Sequence, residues 1–363
     1  MADAVASLKP RLPSAAFWKG RRVLLTGHTG FKGSWAALWL GAMGADVTGF
    51  ALEPDSEPSL FKAARVADGI ASRIGDLRAP EAVRAAVEAA RPEIVIHMAA
   101  QPIVRRAIAE PVETIATNIL GTAHLLDALR GCESLKVILV VTSDKVYANS
   151  ETGRPFTEAD RLGGKDPYSA SKAGTELVAQ SFAGTYFNPR GVVLAAARGG
   201  NVIGGGDFAT DRIVPDIYRA IARGERLVLR MPEATRPWQH VLDCVAGYLV
   251  YAEALAHKGD TPRALNFGPE PGGDATVATL AGAILRAFGK PAEWDFQPVE
   301  GSVEMKALAV DSTLARQTLG WCDCLAGEKI VSWTADWYRR VIAGEDARKV
   351  TLAQIAEYAA LSG

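Results

Sequence analysis

Short apolar runs alternate with longer amphipathic segments along the first half of the chain. The runs at residues 22–26 (RVLLT), 94–99 (IVIHMA) and 136–142 (KVILVVT) are almost continuously apolar, as strands buried on both faces of a sheet are. Further runs at 46–52, 70–76 and 192–197 predict strands, and helical patterns lie between them at 33–43, 81–90, 113–130 and 168–187. This order predicts an α/β fold of the Rossmann-like, doubly wound type, with helices on both faces of a parallel sheet.

The pattern changes after about residue 199, where glycine and proline become frequent, as in GGNVIGGGDF and NFGPEPGG. A chain of 363 residues also exceeds what one hydrophobic core usually serves. We therefore predict an unstructured leader at 1–19 and a Rossmann domain at 20–199. Residues 200–363 are predicted to form mainly a smaller α/β lobe that shapes a substrate site and can return in part to the first domain.

Composition narrows the classes of function. The formal net charge is −1, so no overall field favours nucleic acid or an anionic membrane. No apolar run reaches the roughly 18–20 residues that a membrane helix needs, and the leader lacks the continuous apolar stretch of a secretory signal. The cysteines lack disulfide or zinc spacing, which predicts reduced thiols in the cytoplasm and no metal site: Cys132, Cys244, Cys322 and Cys324.

A glycine-rich turn lies between the first predicted strand and the first predicted helix. It reads Gly27, His28, Thr29, Gly30, Phe31, Lys32 and Gly33. Glycine lets the backbone turn tightly and approach a pyrophosphate, while the helix N-terminus offers N–H groups and the positive end of its dipole. Such turns also occur for purely structural reasons, but the position in the first βα unit favours a dinucleotide site.

The choice between NAD and NADP is less determined by the sequence. The acid that binds the adenosine ribose usually ends the second strand, where this chain has Ala51-Leu52-Glu53. Lys32 can approach a phosphate or be a solvated lysine at a helix start. We expect NAD, with NADP left open. Four residues after the third and fourth strands are further cofactor candidates: Asp76, Leu77, Ala99 and Ala100.

Tyr168 and Lys172 form a Y-x-x-x-K pair at the start of a predicted helix. Four-residue spacing places both side chains on one helical face. A nearby ammonium is expected to lower the pKa of Tyr168, which would then accept a hydroxyl proton while hydride leaves the same carbon for a nicotinamide. Such pairs also occur by chance, but the glycine turn upstream makes a redox pair that contacts the cofactor the more specific interpretation.

Ser143, Asp144 and Lys145 follow the fifth predicted strand, at the edge where open α/β sheets bind their ligands. The Ser143 hydroxyl can hydrogen-bond to a reacting oxygen. Asp144 and Lys145 are less usual at this place. Taken alone, two charges in a strand-end turn are more often solvated than catalytic.

Six segments, in chain order, resemble those of the nucleotide-sugar 4,6-dehydratases, within the extended short-chain dehydrogenase/reductase superfamily. They are TGHTGFKGSW, AAQP, TSDKVY, DPYSASKA, ARGGNVIGGGD and RPWQH, and the resemblance covers residues 17–321. The CDP-glucose 4,6-dehydratases are the most similar group. Related dTDP-glucose dehydratases carry Asp-Glu where this chain has Asp144-Lys145, and that difference is the main substrate clue in the sequence.

The resemblance implies NAD-dependent loss of water from a CDP-linked glucose, with the hydride returned to the sugar. Tyr168, with Lys172 and Ser143, would deprotonate the hydroxyl on the fourth carbon. Lys145 would remove the proton on the fifth carbon or stabilise the enolate, and both roles stay open. Asp144 would protonate the departing hydroxyl on the sixth carbon.

The resemblance also places residues at the substrate. Asn201 and Arg236 would contact the nucleotide diphosphate, with Arg212 and Arg230 as lesser candidates. Gln101 and Arg105, which both follow the fourth strand, would line the sugar pocket.

Two apolar faces, at 115–129 and 175–182, bear on assembly. In this superfamily such helices pair with their copies in a second subunit, which predicts a homodimer or larger homo-oligomer. The alternative is that each face packs on its own sheet.

The sequence leaves several alternative functions open. A sugar epimerase or a 4-ketosugar reductase would keep the glycine turn, Tyr168 and Lys172, but neither needs an acid–base pair after Ser143. A cofactor-binding regulator without turnover would tolerate loss of Tyr168 or Lys172, and both are present. A dehydratase for GDP- or UDP-linked sugar would differ only in the loops that read the base.

Overall fold

The structure, a computed structural model, describes residues 10–149, 153–257, 259–270, 275–297 and 308–361. Within these ranges the strands are β1 (Arg22–Thr26), β2 (Asp46–Ala51), β3 (Ala71–Ile74), β4 (Ile94–His97), β5 (Val137–Val141), β6 (Val193–Gly199), β7 (Asn201–Ile203), β8 (Leu227–Leu229), β9 (Thr235–Arg236), β10 (Trp238–His240), β11 (Ala264–Phe267), β12 (Ala275–Thr276) and β13 (Trp294–Phe296). Seven of them form one sheet in the order β11-β6-β5-β4-β1-β2-β3, and every pairing in it is parallel. The predicted Rossmann-like sheet is confirmed.

The α-helices of the same ranges are α1 (Ala15–Trp18), α2 (Phe31–Ala42), α3 (Leu60–Ala63), α4 (Pro80–Ala90), α5 (Val104–Ala109), α6 (Pro111–Ile115), α7 (Gly121–Leu129), α8 (Pro167–Phe182), α9 (Ile213–Arg223), α10 (Val241–Ala256), α11 (Val277–Ala287), α12 (Thr313–Leu319), α13 (Glu328–Ile342) and α14 (Ala347–Ala360). The helices predicted at 113–130 and 168–187 each contain a π-helical turn, at Ala116–Leu120 and Ala183–Phe187. None of the helices described is long and apolar enough to cross a membrane.

Alternate residues of the central strands face opposite layers, which explains their continuous apolar runs. Val23, Ile94 and Val137 belong to one buried cluster, whereas Leu24 and its neighbours on β4 and β5 belong to the other. A strand between two helical layers must be apolar on both faces. The strand order reverses beside β1, and ligands of such sheets bind in the crevice outside the carboxyl ends of the strands at this point.

Helix α8 starts where local chemistry predicts. The Asp166 carboxylate accepts a hydrogen bond from the Ser169 amide at 3.0 Å, and Pro167 occupies the first turn. Both are N-terminal signals, because a capping oxygen satisfies a free N–H and proline has none to satisfy. This start fixes Tyr168 and Lys172 in the first two turns of the helix.

The prediction of an unstructured leader is wrong for residues 10–19. Trp18 is fully buried, and its indole nitrogen donates to Glu253 Oε1 at 2.8 Å. The Ser14 amide donates to the same oxygen at 2.7 Å. Burial of Trp18 against α10 stabilises this segment. Its partner, Glu253, lies too far along the chain to be recognised from local sequence. Residues 1–9 of the predicted leader lie outside the described ranges.

The chain beyond residue 199 builds the wall opposite the sheet edge and also adds to the sheet itself. Strand β11 pairs with β6, and α10 packs on β5 and β6. Three short pairs, β7 with β10, β8 with β13 and β9 with β12, hold the remaining segments in place. Helices α9, α11 and α13 pack on one another around these pairs.

Candidate active site

The glycine-rich turn between β1 and α2 is packed so closely that only glycine fits at two positions. Gly27 has a φ of +81°, and a Cβ there would lie 2.7 Å from the Ala99 amide nitrogen. A Cβ on Gly33 would lie 2.0 Å from the Gly27 carbonyl oxygen. Gly30 precedes α2 and provides no side-chain cap. A bare backbone at a helix N-terminus fits a dinucleotide pyrophosphate, so these residues suit the predicted cofactor.

The side chains of His28 and Thr29 brace this turn against the neighbouring strands. His28 is fully buried, with Nε2 2.8 Å from Ser72 Oγ, and its ring fills the space left by the missing side chain of Gly49. Burial lowers the pKa of His28 to about 4, so the ring is neutral near pH 7. The Thr29 hydroxyl donates to the Leu52 carbonyl at 2.8 Å. Both side chains therefore position the turn, and its backbone is what remains available to a ligand.

The four further cofactor candidates lie at the carboxyl ends of β3 and β4. Asp76 accepts a hydrogen bond from the Arg78 amide at 2.8 Å, and its hydrogen bonds with the Arg78 side chain lower the pKa of Asp76. Leu77 is buried against Gly121, and a Cβ added to Gly121 would lie 2.8 Å from the Leu77 Cβ. The Ala99 amide donates to Thr26 at 3.2 Å, and Ala100 is half-buried beside it. A local turn thus accounts for Asp76, and its contact with adenine stays a prediction.

A cavity of about 450 Å³ opens beside the carboxyl ends of the strands, between the sheet and the segment 199–238. It brings together residues predicted from separate motifs: Phe31, Lys32, Arg105, Ser143, Lys145, Tyr168, Asn201, Arg212 and Arg236. The cavity adjoins the glycine turn at Lys32, whose ammonium lies 5.8 Å from the centre of the Tyr248 ring. Cofactor and substrate candidates therefore share one space.

Tyr168 lines the floor of this cavity, and Lys172 is buried one helical turn further along α8. The Lys172 ammonium donates to the Val141 carbonyl at 3.1 Å, and burial with the nearby charge of Lys32 lowers the pKa of Lys172 to about 8. Burial raises the pKa of Tyr168 to about 12, although its hydrogen bond with Ser143 acts in the opposite direction. The expected lowering of the Tyr168 pKa by Lys172 is therefore wrong here, because desolvation of the phenolate outweighs it.

Asp144 is fully buried and its two carboxylate oxygens are unlike one another. Oδ1 accepts hydrogen bonds from the Ser143 hydroxyl at 2.9 Å and from the Lys145 ammonium at 3.0 Å. Oδ2 is buried and has no partner among the described residues. A buried oxygen without a partner is costly. It is satisfied if it carries a proton and donates it to a ligand, or if a ligand donates to it.

Lys145 joins the catalytic motif to the substrate segment. Its ammonium donates to Asn201 Oδ1 at 3.2 Å as well as to Asp144. Its side chain is 20% exposed, whereas that of Asp144 is fully buried. Lys145 therefore has access to a molecule in the cavity while it stays paired with the carboxylate behind it.

Two predicted arginines on the cavity wall are held by their own neighbours. The Arg212 guanidinium donates to Asp207 Oδ2 at 3.1 Å, and the charge of Asp207 holds the pKa of Arg212 above its ordinary value. Arg236 is buried and donates to the Thr235 carbonyl at 2.8 Å. Their contacts hold both guanidinium groups in a fixed geometry, and a planar guanidinium fork suits a phosphate.

The two predicted sugar-pocket residues are arranged differently from one another. Gln101 is buried, and its amide contacts the Ile103 backbone and the Thr114 hydroxyl at 2.6–3.1 Å. It supports the loop after β4, and contact with a substrate would require these bonds to break. Arg105 lines the cavity and pairs with Asp211 at 2.9 Å.

A buried ion pair below the site was not predicted from the sequence. Glu176 and Arg198 are almost fully buried, with Arg198 Nη2 2.6 Å from Glu176 Oε2. Glu176 also accepts a hydrogen bond from Thr142 at 2.6 Å, directly before Ser143. Glu176 lies one helical turn after Lys172, so the extended spacing Y-x-x-x-K-x-x-x-E was the available signal. The pair fixes α8 to the ends of β5 and β6.

Comparison with protein families places this geometry among known ones. Residues 23–268 match the model of the NAD dependent epimerase/dehydratase family. A CDP-glucose 4,6-dehydratase of Salmonella typhimurium is 41% identical over 348 residues, which is 94% of this chain and 97% of that protein. A dTDP-glucose 4,6-dehydratase of Streptomyces antibioticus is 32% identical over 68% of this chain and 70% of its own length.

Solved structures show the same fold at lower identity. A UDP-glucose 4-epimerase from Bifidobacterium longum, in complex with NAD⁺ and UDP, superposes with a TM-score of 0.78 at 21% identity, over 89% of this chain and 99% of that one. A UDP-glucose 4-epimerase from Thermotoga maritima, with UDP-glucose, gives a TM-score of 0.77 at 22% identity, over 88% and 99%.

Proposed function

The chain belongs to the NAD dependent epimerase/dehydratase family, and on that premise we propose that it is a hydro-lyase that converts CDP-glucose to CDP-4-keto-6-deoxyglucose. Its similarity over nearly full length to a CDP-glucose 4,6-dehydratase supports this substrate. The observation that carries the proposal is the Asp144–Lys145 pair beside Ser143 and Tyr168, with one buried carboxylate oxygen that no described residue hydrogen-bonds. An epimerase or a ketosugar reductase has no step that uses this pair.

NAD is the cofactor of the family, and the backbone cradle of Gly27, Gly30 and Gly33 would hold its pyrophosphate. Bound in this way, NAD supplies an acceptor for the hydride from the fourth carbon and a donor that returns it to the sixth. Lys32 adds a positive charge where the turn meets the cavity. Lys172, buried one helical turn after Tyr168, would orient the nicotinamide end.

Tyr168 would begin the reaction by accepting the proton of the hydroxyl on the fourth carbon. Ser143 shares a hydrogen bond with it and would hold the same sugar oxygen. The Lys172 charge, one helical turn away on α8, would stabilise the phenolate at the moment it forms, although burial keeps the resting tyrosine protonated. The ketone produced makes the proton on the fifth carbon acidic.

Loss of water would then follow at the Asp144–Lys145 pair. Lys145 faces the cavity: as a neutral amine, with the proton of the pair on Asp144, it would take the proton from the fifth carbon, and as an ammonium it would stabilise the enolate. The Asp144 oxygen without a partner would give its proton to the hydroxyl on the sixth carbon as that carbon–oxygen bond breaks. The hydroxyl leaves as water with the proton from Asp144, and return of the hydride would make the sixth carbon a methyl group. Lys145 would give its proton back to the fifth carbon, and the proton taken up at Tyr168 would replace the one lost from Asp144.

The nucleotide diphosphate would lie against Asn201, Arg212 and Arg236, which line the same cavity. Arginine guanidinium groups donate in a planar fork that matches phosphate oxygens. We propose this as the substrate's anchor.

We also propose a homodimer that uses α6, α7 and α8. Five large apolar side chains on and beside these helices are at least 45% exposed: Ile108, Val112, Ile115, Leu120 and Leu177. An apolar surface of this kind is typical of a protein–protein contact. Sedimentation velocity tests it, with Val112→Asp and Leu177→Asp expected to give monomers, and monomeric wild type would contradict it.

A cytoplasmic location is proposed from the chemistry of the thiols. All four cysteines are free, as is usual in a reducing compartment.

The test of the activity is incubation of the purified protein with CDP-glucose and NAD. We expect a product lighter by one water, with the absorbance of a 4-keto sugar in alkali and no net accumulation of NADH. Loss of no water from CDP-, dTDP-, UDP- or GDP-glucose would contradict the dehydratase. An isomer of unchanged mass would instead indicate an epimerase.

A further inference from the structure

A second polar pair lines the cavity and has no part in the chemistry described above. Asp216, in the first turn of α9, and Arg230, directly after β8, both face the cavity. Together with Asp211 they are called the outer wall below. The proposed mechanism and the diphosphate anchor leave this wall without a function.

The outer wall lies beside the diphosphate anchor, on the side away from Tyr168. Asp216 lies in the first turn of α9, four residues after Arg212, which directly precedes the helix, and Arg212 is close enough to Tyr168 to influence its pKa. Asp216 therefore lies one turn further from the reacting carbon. The segment that carries Arg236 lies in the same region. The Ala234 carbonyl, two residues before Arg236, accepts a hydrogen bond from the Val277 amide at 3.0 Å, and both residues line the cavity.

Apolar side chains form a slot next to this pair. Val214, Leu229, Met231, Ala234 and Val277 all line the cavity. A flat aromatic base needs apolar contact on its faces and polar partners at its edge. With the sugar at Tyr168 and the diphosphate at Arg236, this slot is the part of the cavity left for the base.

Both polar groups are held from behind and keep hydrogen-bonding capacity for a ligand. Asp216 Oδ1 pairs with Arg219, which is anchored by the Phe208 and Ala209 carbonyls at 3.1 Å each. Asp216 Oδ2 has no hydrogen-bond partner in the described part of the chain. Arg230 uses Nη1 on Asp211 at 2.5 Å, and its other nitrogen atoms have no such partner among the described residues.

This pair matches one pyrimidine edge and opposes the other. Cytosine presents an amino donor at position 4 and acceptors at N3 and O2, whereas uracil and thymine present an acceptor at position 4 and a donor at N3. A carboxylate only accepts and a guanidinium only donates. We infer that Asp216 and Arg230 select the cytosine base, with Asp216 accepting from the 4-amino group and Arg230 donating to N3 or O2.

The inference rests on the proposed use of CDP-glucose and names the residues that enforce it. Uracil in the same place would set its 4-oxo group against the Asp216 carboxylate and its N3–H against the guanidinium. A site that hydrogen-bonds a polar group rejects an analogue lacking it, because its own buried groups are left unpaired. The wall would therefore act more by excluding UDP- and dTDP-sugars than by tightening CDP-sugars.

The test compares Asp216→Asn with wild type on CDP and UDP by calorimetry, with NAD present, and on CDP-glucose and UDP-glucose by kcat/KM. An asparagine amide can turn to offer either a donor or an acceptor. We expect the ratio of CDP to UDP affinity to fall at least tenfold and the ratio of kcat/KM to fall in parallel. Glu225→Gln, an exposed acid just beyond α9, is the matched control and should leave both ratios unchanged.

Arg230→Gln is a second variant, so the inference does not depend on the folding of one protein. It should lower CDP affinity and the same ratio, with an unchanged thermal midpoint. Equal weakening of CDP and UDP in both folded variants, or no change in either, would overturn the inference. The binding arm keeps the two proposals separate: preference for CDP without turnover would contradict the dehydratase alone, and turnover of CDP-glucose with unchanged ratios would contradict the base selector alone.

Discussion

The two ends of the cavity are built from opposite kinds of polar contact. At the catalytic floor, by which we mean Ser143, Asp144, Lys145, Tyr168 and Lys172 with the ion pair below them, nearly every group is buried and bonded to a strand end or to α8. The outer wall consists of half-exposed ion pairs on α9, on the loop before it and directly after β8. Reaction geometry at the floor is thus fixed before substrate arrives, while the wall can exchange its partners for those of a ligand.

The difference shows which kind of task each region suits. Preorganised groups stabilise charge that develops in a transition state without reorganising. Half-exposed pairs contribute little to stability, so they can be replaced at low cost when a nucleotide binds. Mutations at the floor should therefore affect kcat and folding, and mutations at the wall should affect the choice and affinity of substrate.

The largest effect is expected from loss of the Tyr168 hydroxyl in the catalytic floor. Tyr168→Phe removes the proton acceptor and keeps the ring, so kcat/KM for CDP-glucose should fall by about 10²–10⁴-fold. Steady-state product formation and calorimetric CDP affinity measure the two halves of this claim. Retention of more than a tenth of the activity would show that another group accepts the proton.

The acid–base pair can be separated from the redox pair in one experiment. Asp144→Asn with Lys145→Ala keeps Tyr168 and Lys172 but removes the groups that expel water. Oxidation at the fourth carbon should then proceed and stop, and NADH should accumulate at up to one equivalent per active site. The readout is absorbance in a single turnover, with mass spectrometry showing no loss of water. Normal dehydration by this double variant would contradict the assigned roles.

Removing the support of the floor should cost stability as well as activity. Glu176→Gln leaves Arg198 buried without its counter-ion, and breaking such a pair costs about 3–5 kcal/mol of unfolding free energy. Asp211→Asn at the outer wall is the matched change, and an exposed pair is worth about 1 kcal/mol or less. Urea unfolding measures both. Equal losses for the two variants would contradict the contrast between the regions.

The charge of Lys172 should set the alkaline limit of the reaction. Its pKa of about 8 means that the ammonium is lost as the pH rises through 8, and the phenolate then loses the positive charge one helical turn away on α8. The kcat/KM for CDP-glucose should fall on that side. Lys32→Met removes a charge that lowers this pKa, so at saturating NAD the limb should move to higher pH. A limb that stays in place would show that another group titrates there.

Sequence reasoning succeeded where the pattern is local. The two-sided apolar strands, the glycine turn and the Tyr168–Lys172 spacing all repeat a backbone period or a fixed turn, so residues near in sequence suffice to recognise them. The Trp18–Glu253 and Glu176–Arg198 contacts join distant segments. The spacing after Lys172 marks Glu176, but no local period marks its partner Arg198 or the contact of Trp18. The prediction that the Tyr168 pKa is lowered was wrong for a similar reason. The shift depends on burial of the phenol, which only the packed structure reveals.

The smallest effect is expected where the two regions meet, at Arg105. It lies on α5, beside the sheet, and its pairing with Asp211 links it to the outer wall across the mouth of the cavity. Both side chains are more than 30% exposed, so the pair contributes about 1 kcal/mol or less and Arg105→Gln should leave the thermal midpoint nearly unchanged. KM for CDP-glucose should rise by about fivefold or less, in proportion to that energy, with kcat constant. Arg106→Gln on the same helix, which pairs with Glu110 and Glu113 and is absent from the cavity lining, is the control. A fall in kcat for Arg105→Gln, without one for Arg106→Gln, would show that the Arg105 guanidinium contacts the reacting sugar. Arg105 would then belong to the catalytic floor rather than beside the outer wall.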